Sequence, residues 1–346
     1  MRIGAAKETY AADAALFDTP TQRSWVGAMA VALVLFPFVA SEYWLYLACL
    51  VAIHIISASG LNILTGYTGL VSLGQAAFMG VGAYTVAVLQ TRWGVPALVS
   101  LPIAGVIALL CGVVVGLPSL RVKGLYLAIA TIAAGVLAHF VFSHFSSLTG
   151  GSAGLSVKPA NVFGLALDNS FRFYWLVIPL TAAALLGAAN LLRTRIGRAF
   201  IAIRDRDISA EVLGIPLLRY KLLAFAISSF YAGVAGGLYA LFFRAVTPET
   251  FPLVMSIFFL AAIIVGGLGS VLGSVLGAVF MTLVPEVLRL VMGWLPLSGN
   301  AVLYLSPVRT VVFGALIVLF LVFEPLGLAE VWRRVRRTFH LWPFRT

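Results

Sequence analysis

Residues 43–91 contain no Asp, Glu, Lys or Arg. A helix that crosses the hydrocarbon core of a bilayer needs about 20 apolar residues, so this stretch alone holds two passes. Within a bilayer every backbone N–H and C=O must be satisfied by the chain itself, which leaves helices or closed barrels. The apolar runs are continuous and do not alternate with period two, which selects helices. The rest of the chain agrees. Of its 346 residues, 62% are hydrophobic and 10% charged, against about 25% charged in a soluble domain. The fold class is an all-α integral membrane protein.

Ten spans are expected, at 25–41, 44–64, 68–90, 95–117, 122–146, 172–192, 222–243, 254–270, 271–293 and 307–323. Residues 1–24 are polar and of mixed charge, with no basic segment leading into an apolar one, so the first span is expected to be retained rather than cleaved. The net charge of +11 would suggest nucleic acid in a soluble protein. Here the basic residues gather at span ends, which points to topology and anionic headgroups instead. The segment 193–221 carries Arg193, Arg195, Arg198, Arg204, Arg206, Arg219 and Lys221, and the tail 326–346 carries Arg333, Arg334, Arg336, Arg337 and Arg345. Both belong on the cytosolic side by the positive-inside rule. Ten spans satisfy this with both termini in the cytosol and residues 25–325 forming the membrane domain. The loop 147–171 then faces outward. Cys49 and Cys111 are isolated in apolar segments and read as packing residues.

The loop 193–221 is long for a connection between spans. One or two short helices are expected in it, because Ile201, Ile208, Val212 and Ile215 recur at helical spacing. Gly214 and Pro216 then stop the helix. Asp207 and Glu211 stand four apart with like charge, which disfavours an isolated helix and suits a partner that supplies positive charge. Two readings stand on these residues: an amphipathic helix docking into a groove on a cytosolic protein, or a basic loop resting on anionic lipid.

Several chemistries lack their residues. There is no G-x-x-x-x-G-K-[ST] phosphate loop, no H-E-x-x-H and no G-x-S-x-G. The span interiors are almost free of ionisable groups, which ion-coupled transporters keep as functional groups. His54 is a lone mid-span histidine and reads as hydrogen-bonded structure. No catalytic residue and no metal site is assigned.

Glycine is the other recurrent feature. Gly269, Gly273 and Gly277 form a G-x-x-x-G-x-x-x-G run, a spacing that lets helices approach closely. Residues 57–84, SASGLNILTGYTGLVSLGQAAFMGVGAY, are different: their glycines are irregularly spaced, and Asn62, Thr65, Thr68, Ser72 and Gln75 are interleaved. Broken or re-entrant helices are tolerated where protein buries them or where they line a cavity. The segment is expected to be the end of one span, a turn near Gly66–Gly69 and most of the next span. A faint echo links GLVSLGQAAFMG (69–80) with GLGSVLGSVLGA (267–278).

Five segments, in order, carry a resemblance: GLNILTGYTGLVSLGQAAFMGVGAYTVAVL, LRVKGLYLAIATIAAG, TGGSAGL, GRAFIAIRDRDISAEVLGIPLLRYKLLAFAISSFYAGVAGGLYA and IIVGGLGSVLGSVLGAV. Together the chain from about 45 to 325 resembles the branched-chain amino-acid ABC transporter permeases of the LivM type. The resemblance implies a fold like that of the type II importer permeases, with about ten transmembrane helices. It also implies a bacterial inner-membrane importer. Its partners would be a LivH-like second permease, two cytosolic ATPase subunits and a periplasmic substrate-binding protein, with ATP and Mg used by the ATPases and no cofactor in this chain. SAEVLGI is similar to the coupling loop of importer permeases, with Glu211 and Gly214 in the matching places. By that likeness Arg204, Asp205, Asp207, Glu211 and Gly214 belong to the element an ATPase receives.

An almost uncharged path suits a net-neutral solute such as a zwitterionic amino acid. Asn62, Thr65, Ser72 and Gln75 are its candidate lining groups, or else interhelical hydrogen-bonding groups. Relatives of this permease type carry urea, short amides or organic acids, so branched-chain or related amino acids are the first expectation among several. A stand-alone channel or secondary transporter is the alternative from another class. The tail AEVWRRVRRTFHLWPFRT lies outside the resemblance and reads as a basic amphipathic helix on the membrane surface or a disordered basic end.

Overall fold

The computed structural model describes residues 20–119, 124–159, 161–162, 165–293 and, apart from 313, 316, 319, 321 and 325, residues 311–341. Most of what it describes is helical. The helices are α1 (Pro20–Val39), α2 (Glu42–Leu61), α3 (Gln75–Arg92), α4 (Ala97–Ser119), α5 (Leu125–His144), α6 (Ser146–Thr149) and α7 (Ser170–Arg193). They continue with α8 (Arg195–Asp205), α9 (Asp207–Val212), α10 (Leu217–Phe243), α11 (Leu253–Gly266), α12 (Val271–Gly293) and α13 (Leu328–Leu341). Among the described residues seven helices are long and apolar enough to cross a membrane, and the apolar part of α1 is shorter, Gly27–Val39. Between 311 and 323 the described positions are helical. Residues 1–19, 294–310 and 342–346, on which parts of the expected N-terminal segment, tenth span and tail fall, lie outside the described residues.

The core forms around α2 and α10, which among the seven long apolar helices are buried most deeply, at 83% and 67% of their apolar windows. α10 packs on α2, α3 and α4. Small residues let it do so: a Cβ on Gly82 of α3 would collide with the backbone of Gly233 on α10. α12 runs antiparallel to α2 and is tied to it by polar pairs at three levels. Tyr43 donates to Glu286 at 2.6 Å. His54 Nδ1 lies 2.8 Å from the Thr282 hydroxyl, and that hydroxyl donates to the Ala278 carbonyl, so the imidazole donates to it. Asn62 donates to Ser274 at 2.7 Å.

The ends of the bundle differ. At one end β1 (Leu155–Ser156) pairs antiparallel with β4 (Ala245–Val246), and β2 (Asn161–Val162) with β3 (Leu165–Ala166). Arg92 donates to the Ser147 carbonyl, and His139 lies 3.6 Å from Glu249. This end gathers most of the loop 147–171. The opposite end gathers residues 66–74, the loop 193–221, the turn 267–270 and α13. It holds the arginine clusters and is the basic face.

Three boundaries at the Gly-rich turns differ from the sequence expectation. The span expected at 44–64 runs on through Tyr67, its last six residues, Asn62–Tyr67, wound as a π-helix. The span expected from 68 begins at Gln75, because Gly69 takes φ +74° and residues 69–74 are not helical. The span expected at 254–270 stops at Gly266, where Gly267 takes φ +117°. Of the expected tail, Leu328–Leu341 form the helix α13. Its start is held by Ala329, which is buried against Gly267, and by Arg334, 3.0 Å from Glu324.

Candidate functional site at the basic face

The basic face is built from the loop 193–221 and two Gly-rich turns. In α8, Gly197, Ala199, Phe200 and Ile203 turn inward, and Phe200 is fully buried edge-on to Tyr220. That anchors the helix and leaves Arg195, Arg198 and Asp205 outward. Arg206 then adopts an extended backbone, φ −157° and ψ 106°, which separates α8 from the six-residue α9. So the loop holds two helices.

α9 ends in a Schellman cap. Gly214 N–H donates to Glu211 O at 2.9 Å, and Ile215 N–H to Ala210 O at 3.0 Å, with Gly214 at φ +84°. Glycine meets that left-handed φ without a Cβ penalty. The cap fixes α9 with Ala210 buried and Ile208, Val212 and Leu213 outward, the last two 82% and 79% exposed. Glu211 is exposed beside them. An apolar tip this bare is costly in water unless something covers it. Asp207 opens α9: its carboxylate accepts from Ile208 N–H at 2.9 Å and lies 3.7 Å from Lys221 on α10. The positive charge expected from a partner is thus supplied to Asp207 within the chain. Behind α9 lies a cleft of about 540 Å³, lined by Thr68–Leu70 on one side and Arg204–Ser209 on the other.

Arg204 points across this face into the bundle. Its Nη1 donates to the carbonyl of Gly66 at 2.7 Å. Gly66 lies in the π-helix, where Asn62 makes three contacts with the turn before α12 and the first turn of α12. Its amide donates to Ser270 O at 2.8 Å and to Ser274 Oγ at 2.7 Å, and its Oδ1 accepts from Gly269 N–H at 3.0 Å. Asn62 is 1% exposed, so its polar atoms depend on these partners. The approach needs glycine on both sides. A Cβ at Gly66 would collide with Asn62 Oδ1 and the Gly269 nitrogen, and Gly269 holds φ +72°.

The structure therefore brings Asn62, Gly66, Arg204 and Gly269 together. Thr65 donates to Leu70 O at 3.0 Å, closing the π-helix onto the irregular stretch. Ser72 and Gln75 lie further along, buried. Ser72 Oγ accepts from Gly74 N–H at 3.3 Å, and Gln75 donates to Ser57 O at 2.9 Å. All four candidate path residues are buried and bonded within the chain. Gly273 and Gly277 are on α12, where added Cβ atoms would strike Gly267 O and Ala262 O. Gly269 is in the turn, not the helix.

Sequence reasoning did not find Ser270, Ser274, Thr131 or Ser256. The last two serve the irregular stretch and the first turn of α3: Leu73 N–H donates to Thr131 Oγ1 and Ala76 N–H to Ser256 Oγ, both at 2.9 Å. Irregular backbone inside a membrane needs such side-chain partners. Their only signal in the sequence is a hydroxyl in an apolar run. Among the described residues no cluster of His, Cys, Asp and Glu is placed to hold a metal ion.

Comparison with known proteins adds the following. The profile of the family described as branched-chain amino acid transport system / permease component matches residues 43–321. The chain is 33% identical over 340 residues to the high-affinity branched-chain amino acid transport system permease protein LivM of Escherichia coli, covering 91% of this chain and 77% of that one. It is 25% identical to the probable branched-chain amino acid transport permease protein LivM of Methanocaldococcus jannaschii, covering 80% and 89%. It is also 28% identical to the probable LivH permease of the same organism, covering 62% and 70%.

Proposed function

This chain belongs to the family of branched-chain amino acid transport permease components, and on that premise we propose that it is the LivM-type permease subunit of an ABC importer. It forms one half of the path for branched-chain or related amino acids. A LivH-like permease forms the other half; the similarity to a LivH protein supports a pairing of related chains. Two cytosolic ATPases that use ATP and Mg drive the pair, and a periplasmic binding protein delivers the solute. The chain crosses the bacterial inner membrane ten times, with both termini in the cytosol. The seven long apolar helices are joined in this count by α1, α3 and the 307–323 segment.

The observation that carries the coupling role is the tip of α9. Val212 and Leu213 stand bare on a capped turn at the basic face, and Glu211 stands beside them. A rigid apolar knob of this kind fits a groove on a partner better than a headgroup layer, where the basic residues would lead. The ATPase receives this knob. Ser72 and Gln75, where irregular backbone enters α3, border the path; Asn62 and Thr65 hold the junction beneath it. Substrate selectivity rests mainly on the binding protein.

Reconstitution of the complete complex in proteoliposomes tests this. Uptake of radiolabelled leucine should require ATP inside and binding protein outside. Flux that ignores ATP, from a chain with which no ATPase co-purifies, refutes it.

A further inference from the structure

The docking element meets the membrane domain through the buried face of α8, where Phe200 clusters with Ile63, Leu64 and Phe225, through the Asp207–Lys221 pair, and through one polar contact that reaches the Gly-rich turns. Arg204, at the end of α8, reaches the Gly66 carbonyl, 138 residues away in sequence. From Gly66 the contact passes to Asn62 in the same π-helix, and from Asn62 to Gly269, Ser270 and Ser274, more than 200 residues on. The guanidinium of Arg204 also lies against Gly269 itself, close enough that a Cβ there would strike it. One arginine therefore touches both Gly-rich turns, and one buried asparagine locks those turns to each other.

On one side this chain of contacts borders open space. The 540 Å³ cleft separates α9 from residues 68–70, so α9 is not packed onto the membrane domain along that side. A π-helix is a local departure from α geometry that recurs at functional sites. Force applied to α9 reaches the bundle through the Asp207–Lys221 pair and the buried face of α8, and Arg204 is the polar link from that face to the turns at Gly66 and Gly269.

We propose that Arg204 and Asn62 are positioning residues for transport: a polar strut that makes the docking element and the turns at Gly66 and Gly269 move as one body. Arg204 works inward on this chain, not outward on the ATPase. This rests on the coupling role of α9 proposed above. The strut supplies no substrate contact. It transmits displacement to the starts of α12 and of the irregular stretch leading into α3. Without it, α9 rocks over the cleft and the turns stay where they are.

The test uses the full complex with its ATPases, second permease and binding protein. Arg204→Gln should retain the ATPases on purification, while uptake per ATP hydrolysed falls about tenfold, inside the roughly 5–150-fold span of couplings between sites. Arg204→Lys, which keeps a donor for the Gly66 carbonyl, should recover part of it. Val212→Asp with Leu213→Asp should instead release the ATPases. Arg204→Gln complexes with wild-type stoichiometry overturn the strut and leave the docking role standing. Loss of the ATPases from Arg204→Gln also overturns it, because Arg204 is then a docking contact. ATPases still bound to the Val212/Leu213 variant, with normal uptake, sink the docking role instead.

A second measurement holds even where Arg204→Gln folds poorly. Spin labels at Ser209→Cys and Leu272→Cys, in a complex lacking Cys49 and Cys111 of this chain, report the span from α9 to α12. In the otherwise wild-type chain that distance should stay constant between nucleotide-free and ATP-trapped states. A distance that changes between them overturns the strut.

Discussion

Replacing Asn62 with Ala removes the centre of the junction between α2 and α12, and the structure fixes the size of the effect. Three hydrogen bonds disappear, to Ser270 O, Ser274 Oγ and Gly269 N–H, with lengths of 2.7–3.0 Å. Two scales bound the cost. A buried group left unpaired costs about 1–3 kcal/mol, and Gly269 N–H and Ser270 O would both lose their Asn62 partner. Side-chain hydrogen bonds measured within membranes average about 0.6 kcal/mol, so three total about 2 kcal/mol. The lower value applies here. Gly269 and Ser270 border a cleft that opens to the basic face, so water recovers part of what Asn62 supplied. The expected loss is about 2 kcal/mol, a roughly 30-fold shift in the unfolding equilibrium. Unfolding of the purified chain by sodium dodecyl sulfate in mixed micelles, followed by far-UV circular dichroism, measures it. Asn190→Ala on α7, where the side chain is exposed, should stay within about 0.5 kcal/mol of wild type. If Asn62→Ala is indistinguishable from Asn190→Ala, the three bonds do not hold the junction and the reasoning fails.

Three more outcomes follow from the same geometry. Gly66→Ala forces a Cβ into Asn62 Oδ1 and the Gly269 nitrogen; it should cost about 1–3 kcal/mol, the usual range for overpacking, and lower the yield of folded protein in detergent by size-exclusion chromatography. Thr282→Val keeps the shape and removes the partner of His54; one membrane hydrogen bond of about 0.6–1.7 kcal/mol is lost, measured by the same micellar unfolding. Val212→Asp with Leu213→Asp touches side chains that face out of the fold, so stability should stay within about 0.5 kcal/mol while co-purification of the ATPases is lost.

The all-helical membrane class was legible because charge is so expensive in a bilayer that a stretch such as 43–91 had few alternatives, and seven long apolar helices stand among the described residues. Their ends were less so. The seven residues between the expected start at 68 and the true start at Gln75 depend on Gly69 taking φ +74° and on hydroxyls from Thr131 and Ser256 catching free N–H groups. Neither fact is local to the segment. The π-helix was equally hidden, because a local shift from i→i+4 to i→i+5 bonding leaves no mark in the residue pattern of so short a segment. The two helices of the 193–221 loop were readable from Gly214 and the isoleucine spacing, whereas the inward direction of Arg204 was not. Seven basic residues share that loop, and only the position of Gly66 singles one out.

One long-range relation was present in the sequence in principle. Along α2 the polar side chains that bond to α12 are Tyr43, His54 and Asn62, and their partners descend in reverse as Glu286, Thr282 and Ser274. Two antiparallel helices in contact require this: as one index rises, the other falls. In an apolar helix each polar side chain needs a partner, and few exist, so polar positions constrain helix pairing more tightly than apolar ones do. The echo between 69–80 and 267–278 pointed at the right neighbourhood for a different reason. The turn at Gly269 is bonded to Asn62, seven residues before the first echo segment begins, because both sides need glycine for a backbone approach that a Cβ would block.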